Sequence, residues 1–140
     1  MNDKKLILLI GILFAFVACE DDANLDPSTA TSEDLTLSMT SADGLRISEF
    51  REDGRDKTSS FSIFLFLFRE DGIVTAEEGG KSINGSYSVF RDDGRLELEM
   101  TFPSSSGILN ELTDDWYFIS QSDNLIRFED SGDVIEFRIQ

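Results

Sequence analysis

Carboxylates are the plentiful reactive groups of this 140-residue chain, with 28 Asp+Glu against 12 Lys+Arg and a net charge of −16. Two carboxyl groups about 5–5.5 Å apart in a cleft would suit a retaining glycoside hydrolase, and about 6.5–9.5 Å apart an inverting one. Most acids here fall instead in turn signals or on the polar face of alternating segments, as Glu97 and Glu99 do. Asp114-Asp115 stands just ahead of a strand and reads as solvated. There is no histidine, which removes Ser-His-Asp and Cys-His nucleophiles, an imidazole base, and His-bearing zinc or haem. The single cysteine, Cys19, excludes an intrachain disulfide, a zinc knuckle and a CxxC redox pair. The acidic excess argues against nucleic acid, because binding phosphates needs a basic surface. No catalytic residue, metal ligand or cofactor site emerges.

The densest acids form a short repeat. Phe50-Arg51-Glu52-Asp53-Gly54 recurs as Phe68-Arg69-Glu70-Asp71-Gly72 and Phe90-Arg91-Asp92-Asp93-Gly94, with an echo at Phe128-Glu129-Asp130-Ser131-Gly132. Calcium loops need alternating oxygen ligands and a distal Glu, and each repeat offers only two adjacent carboxylates. Asp-Gly between apolar runs is instead a hairpin signal, since both residues tolerate the positive φ of the tight turns that match strand twist.

Cys19 is the more specific chemical signal. Lys4 and Lys5 precede an apolar run of 13 residues, Leu6 to Ala18, which as a helix spans about 20 Å, short of a roughly 30 Å bilayer core. That pattern reads as a secretory signal over residues 1–18. Val17-Ala18-Cys19 followed by Glu20-Asp21-Asp22 resembles the lipobox of bacterial lipoproteins, although Phe16 stands where Leu is commonest. The resemblance implies cleavage before Cys19, acylation of its thiol and a membrane anchor; the mature chain then carries a net charge of −17. Residues 19–34, acidic and without aromatics, read as a flexible tether. Glu20, Asp21 and Asp22 resemble the surface-export signal of Bacteroidetes-type lipoproteins, or serve simply as a solvated spacer.

Residues 35–140 make one domain of period-2 segments. Leu96, Leu98, Met100 and Phe102 alternate with Glu97, Glu99 and Thr101, and Ile135, Phe137 and Ile139 with Glu136, Arg138 and Gln140. Strands are expected near 45–50, 60–69, 72–77, 82–90, 95–102, 115–121, 125–129 and 134–139. Phe61 to Phe68 is apolar on both faces and reads as one continuous strand. A short helix is expected at Ile108–Leu112, where it would close a barrel end. Leu35 to Met39 alternates as a strand, with a capped helix from Ser32 as the other reading. Eight short strands joined by tight turns give an all-β antiparallel meander, closed as a barrel or folded as a sandwich. Trp116-Tyr117 points one aromatic to each face of its strand, so one of the two is a candidate contact for a ligand or partner.

These residues resemble small lipocalin-like lipoproteins of Bacteroidetes. The motifs are Glu52-Asp53-Gly54 after Phe50, Phe64-x-Phe66, Asp71-Gly72-x-Val74-x-Ala76, Gly85-x-Tyr87-x-Val89, Leu96-x-Leu98-x-Met100, Leu112-Thr113-Asp114-Asp115-Trp116, Ile126-x-Phe128 and Ile135-x-Phe137. The match spans roughly residues 44–140 and departs at Leu45, where relatives tend to carry Trp. It implies a lipocalin-like barrel on the outer membrane of a Gram-negative cell. Such a barrel either binds a small apolar ligand in a cavity or, with its core filled, docks on another envelope protein. Replacing Cys19 by Ala is expected to release the protein from the membrane fraction and remove the acyl mass; a variant still membrane-bound at unchanged mass would contradict lipidation.

Overall fold

The computed structural model describes residues 24–140. It begins with a turn at Asp26–Ala30 and the helix α1 (Ser32–Thr40). Strands β1 (Leu45–Glu52), β2 (Arg55–Asp56), β3 (Leu65–Phe68), β4 (Ile73–Glu78) and β5 (Lys81–Asp92) follow. Next come β6 (Arg95–Thr101), β7 (Asp114–Ser122), β8 (Leu125–Asp130) and β9 (Asp133–Ile139). All pairings are antiparallel between sheet neighbours, and β1 also pairs with β9. Eight of the strands therefore close into a barrel, and the two-residue β2 only continues the hairpin beyond β1. Closure decides between barrel and sandwich.

The repeated acids are turns. Both central residues have positive φ at Asp53-Gly54 (51° and 73°), Asp93-Gly94 (46° and 79°) and Ser131-Gly132 (48° and 99°), the conformation two-residue hairpins require. At Asp71-Gly72 only the glycine is left-handed, and Asp71 Oδ1 accepts from Ile73 N–H at 3.2 Å.

Two expectations are revised and one alternative is settled. Leu35 to Met39 takes the other reading, a capped helix from Ser32, because Thr31 and Asp34 form a reciprocal cap: Asp34 N–H donates to Thr31 Oγ1 at 3.1 Å and Thr31 N–H to Asp34 Oδ2 at 2.9 Å. Such a box satisfies two donors that otherwise lack partners. Residues 31–34, assigned to the tether, are thus the cap and first turn of α1, and Ala30 is buried. The apolar run 61–68 is not one strand. Thr58–Phe61 is a 3₁₀ turn that swings Phe61 inward, its ring 4.7 Å from that of Phe50, and the strand begins only at Leu65. Ile63 consequently stays exposed. The short helix expected at Ile108–Leu112 is present as a 3₁₀ helix, Gly107–Leu112.

The seam between β1 and β3 has a single pair, Leu45↔Phe66. Side chains and turns complete it: Phe50 N–H donates to Thr58 Oγ1 at 2.9 Å, Lys57 N–H to Phe50 O at 2.9 Å, and Arg46 Nη1 to Phe64 O at 3.2 Å. Long β5 serves two partners, β4 through Ser86 and β6 from Ser86 onward. At Gly85, just before this change, a Cβ would lie 2.6 Å from Thr101 O, so only glycine allows the close approach.

The interior is filled. Leu45, Phe50, Phe66, Val74, Leu98, Met100, Ile126, Phe128, Ile135 and Phe137 are buried in one continuous cluster. Phe137 is its hub, edge-on to Phe66 and Phe68 at 5.8 Å each and to Phe128 at 6.3 Å. Both ends are stopped. α1 turns Leu35 and Met39, one helical turn apart, into the same cluster. At the other end Phe61, Leu109 and Leu112 are buried, and Lys57 ties the two 3₁₀ turns together by donating to Glu52 and, at 2.9 Å, to Glu111. Charge lies outside, on Arg46, Glu49, Arg51, Glu99, Arg127 and Arg138, the reverse of a membrane-spanning barrel. No helix among the described residues is long and apolar enough to cross a membrane.

Phe137→Ala removes the ring that joins β3, β8 and β9. The expected cost is about 3–5 kcal/mol, measured by urea unfolding; a loss under about 1 kcal/mol would mean that the interior is loosely packed.

Candidate functional site

The aromatic pair divides between the two faces of β7. Trp116 faces inward at 2% exposure, with Nε1 donating to Leu112 O at 3.1 Å and its ring 6.0 Å from Phe50. It supports the stopped end of the barrel and presents nothing to solvent. Tyr117 faces outward and is half-buried, with the Arg95 guanidinium 3.5 Å above its ring, a cation–π contact. Cys19, Glu20, Asp21 and Asp22 lie outside the described residues.

Tyr117 belongs to a row across four strands: Phe90 pairs with Glu97, Glu97 with Tyr117, and Tyr117 with Glu129. Glu97 is the unusual member. Although on the outer wall, it is only 6% exposed; no described side chain bonds to it, and its carboxylate oxygens keep some contact with solvent. Burial pushes its carboxyl above the ordinary range; the nearby Asp92, Asp115 and Asp93 add to this, while Arg95 opposes it.

Carboxylates do gather elsewhere, but they are occupied. Arg127 Nη1 lies 2.9 Å from Glu49 and 3.6 Å from Glu136, and its Nε 3.3 Å from Glu129. Ser48 Oγ donates to Glu136 Oε1 at 2.8 Å, and Arg51 pairs with Glu49 at 2.9 Å. The arrangement is an ion cluster across β1, β9 and β8, on a wall rather than in a cleft. It clamps the three strands together.

Recesses occur outside the barrel, on both flanks of α1. One of about 340 Å³ runs between α1 and β5, with Leu37 and Val89 as its apolar surface and Glu33 and Glu70 at its rim. Leu37 is 62% exposed, the odd residue of the Leu35–Leu37–Met39 alternation, turned out by the helix. A second, also about 340 Å³, lies between the end of α1 and the ends of β7 and β9, lined by Ser38, Ala42, Asp43, Gln121 and Ile139 among others. Gln121 is 4% exposed and its Oε1 has no hydrogen-bond partner. Strict alternation from Trp116 and Phe118 would turn Ser120 inward. A bulge between Phe118 and Ser120 shifts the register and brings Gln121 in instead. Nothing in the sequence marks that bulge, so Gln121 was not legible, whereas the exposure of Leu37 follows from the capped-helix reading of its stretch.

Comparison with protein-family models, with curated proteins and with solved structures finds no match for this chain. The fold defines it as a closed antiparallel β-barrel with a helix across one end.

A carboxyl whose folded-state pKa is raised contributes stability that is complete at low pH and is lost as pH rises through that raised value. Glu97→Gln is therefore expected to raise the unfolding temperature at pH 7 by about 2–5 °C and to change it little near pH 3. Equal effects at both pH values, or a loss at pH 7, would contradict the assignment of Glu97 as buried and unpaired.

Proposed function

We propose that the chain is a non-enzymatic lipoprotein of a Gram-negative outer membrane, anchored at Cys19, whose filled barrel docks on another envelope protein. The observation that carries the reading is the packed interior. Phe66, Phe128 and Phe137 occupy the space where a lipocalin-type barrel would hold a small apolar ligand, and α1 and the 3₁₀ turns stop both ends. Recognition then falls to the outside.

The recess along α1 is the favoured surface. It offers an exposed leucine, a half-buried valine and two carboxylates, an apolar anchor point with a polar rim. Acidic repulsion across a chain of net −16 keeps copies apart and favours a basic partner surface. The cluster of Glu49, Glu129 and Glu136 is engaged by Arg127, which supports the non-enzymatic reading.

A photo-crosslinking residue at position 37 is expected to give one discrete protein adduct in intact cells. Leu37→Asp is expected to abolish binding of that partner while moving the unfolding temperature by less than about 2 °C, because exposed positions contribute little to stability. No adduct at position 37, or the same adducts from position 78 on the far β4–β5 hairpin, would contradict the reading.

A further inference from the structure

The recess at the end of α1 combines apolar surface with several acceptors and has no basic side chain in its lining. Gln121 is a carboxamide more than nine-tenths buried whose Oε1 lacks a donor, and a buried polar group left so is uncommon and calls for an explanation. Asp43 brings a carboxylate to the same recess. Ser38 already spends its hydroxyl proton on Asp34 O at 3.1 Å, so its Oγ can only accept. Gln140 donates Nε2 to Arg138 O at 3.3 Å, which leaves its Oε1 as the unused acceptor.

The helix adds to this. The last turn of α1 contains no basic residue, and the carbonyls of Ser38, Met39 and Thr40 receive no backbone hydrogen bond from beyond the helix among the described residues. A helix C-terminus carries partial negative charge and favours a cation. No Lys or Arg lines the recess. Ala42 and Ile139 supply its apolar part.

We infer that this recess binds a primary ammonium group on a short alkyl stem. An ammonium is a compact charge with three donors and no acceptor, which suits acceptors contributed by separate elements: the end of α1, the residues leading into β1, and β7. Gln121 supplies a carboxamide oxygen once its terminal torsion, which is broad and two-fold, turns that atom to the recess. Asp43 and the helix end supply charge, and Ile139 and Ala42 line the stem. The inference is independent of the docking surface on the other flank of α1. An ammonium arrives either on a free amine or on a lysine side chain, and the two share this chemistry.

The test titrates the folded domain at about 0.15 M salt, where diffuse attraction to a highly acidic surface is screened, with n-butylammonium and with N-acetyl-lysine methylamide. The side-chain amide resonances of Gln121 are followed by NMR. Both probes are expected to move them saturably; tighter binding of the lysine derivative marks a protein side chain as the occupant, and tighter binding of butylammonium a free amine. Gln121→Leu is expected to weaken binding at least about tenfold while raising the unfolding temperature by about 3–6 °C, since it removes an unpartnered polar group. Gln121→Glu, a second probe should the leucine variant fold poorly, is expected to bind more tightly than the parent. Asp43→Asn should weaken binding about two- to fivefold, and Glu78→Gln at the opposite end, which removes the same charge, should leave it unchanged. Equal binding of neutral butanol, retained binding in Gln121→Leu, an equal effect of Glu78→Gln, or unmoved Gln121 resonances would overturn the assignment.

Discussion

The pairing of β1 with β9 is the interaction on which the rest of the structure depends. It joins the first and last barrel strands, from Leu45↔Ile139 to Arg51↔Val134, and turns an open meander into a closed wall with no long edge exposed to aggregation. The joint is held from both sides. Outside, Arg127 on β8 reaches Glu49 on β1 and Glu136 on β9. Inside, Phe137 of β9 meets Phe66 and Phe68 of β3, across the seam where β1 and β3 share only one pair. Because its partners are so distant in sequence, this closure must form against a large loop entropy, and interior packing is what makes it favourable.

Closure and filling together decide where chemistry can occur. A barrel of eight strands has an interior that side chains can just fill, and here aromatic rings fill it. The ends that would open in a ligand carrier are occupied by Leu35 and Met39 at one side and by Phe61, Leu109 and Leu112 at the other. Under the proposed docking role, recognition falls to the outer surface. The least conventional groups are Glu97, little exposed on an outer wall, the exposed Leu37, and the buried Gln121 beside a recess at the barrel end.

Much of the fold was legible because alternation is a local signal. Leu96, Leu98 and Met100 face inward as their spacing requires, and the Asp-Gly turns adopt the positive φ that their residues allow. The exceptions arose where a local hydrogen-bond device or a tertiary contact overrode the pattern. A Thr31–Asp34 box made a helix of an alternating stretch, and contact with Phe50 drew Phe61 out of a strand. The site residues were less legible. Tyr117 could be singled out as one of a pair, but its Arg95 cover comes from the neighbouring strand β6. Gln121 depends on a single-residue bulge, which leaves no mark on composition or spacing.

The proposed docking role rests on a barrel that is packed and sealed. Trp116, the single tryptophan of the chain, lies inside it and gives a direct optical report. Its emission and acrylamide quenching should be measured in the folded protein, with and without a saturated fatty acid. A packed barrel predicts blue-shifted emission, weak quenching and no saturable response to the fatty acid. Red-shifted, readily quenched emission, or a saturable one-to-one spectral change on adding the fatty acid, would contradict it.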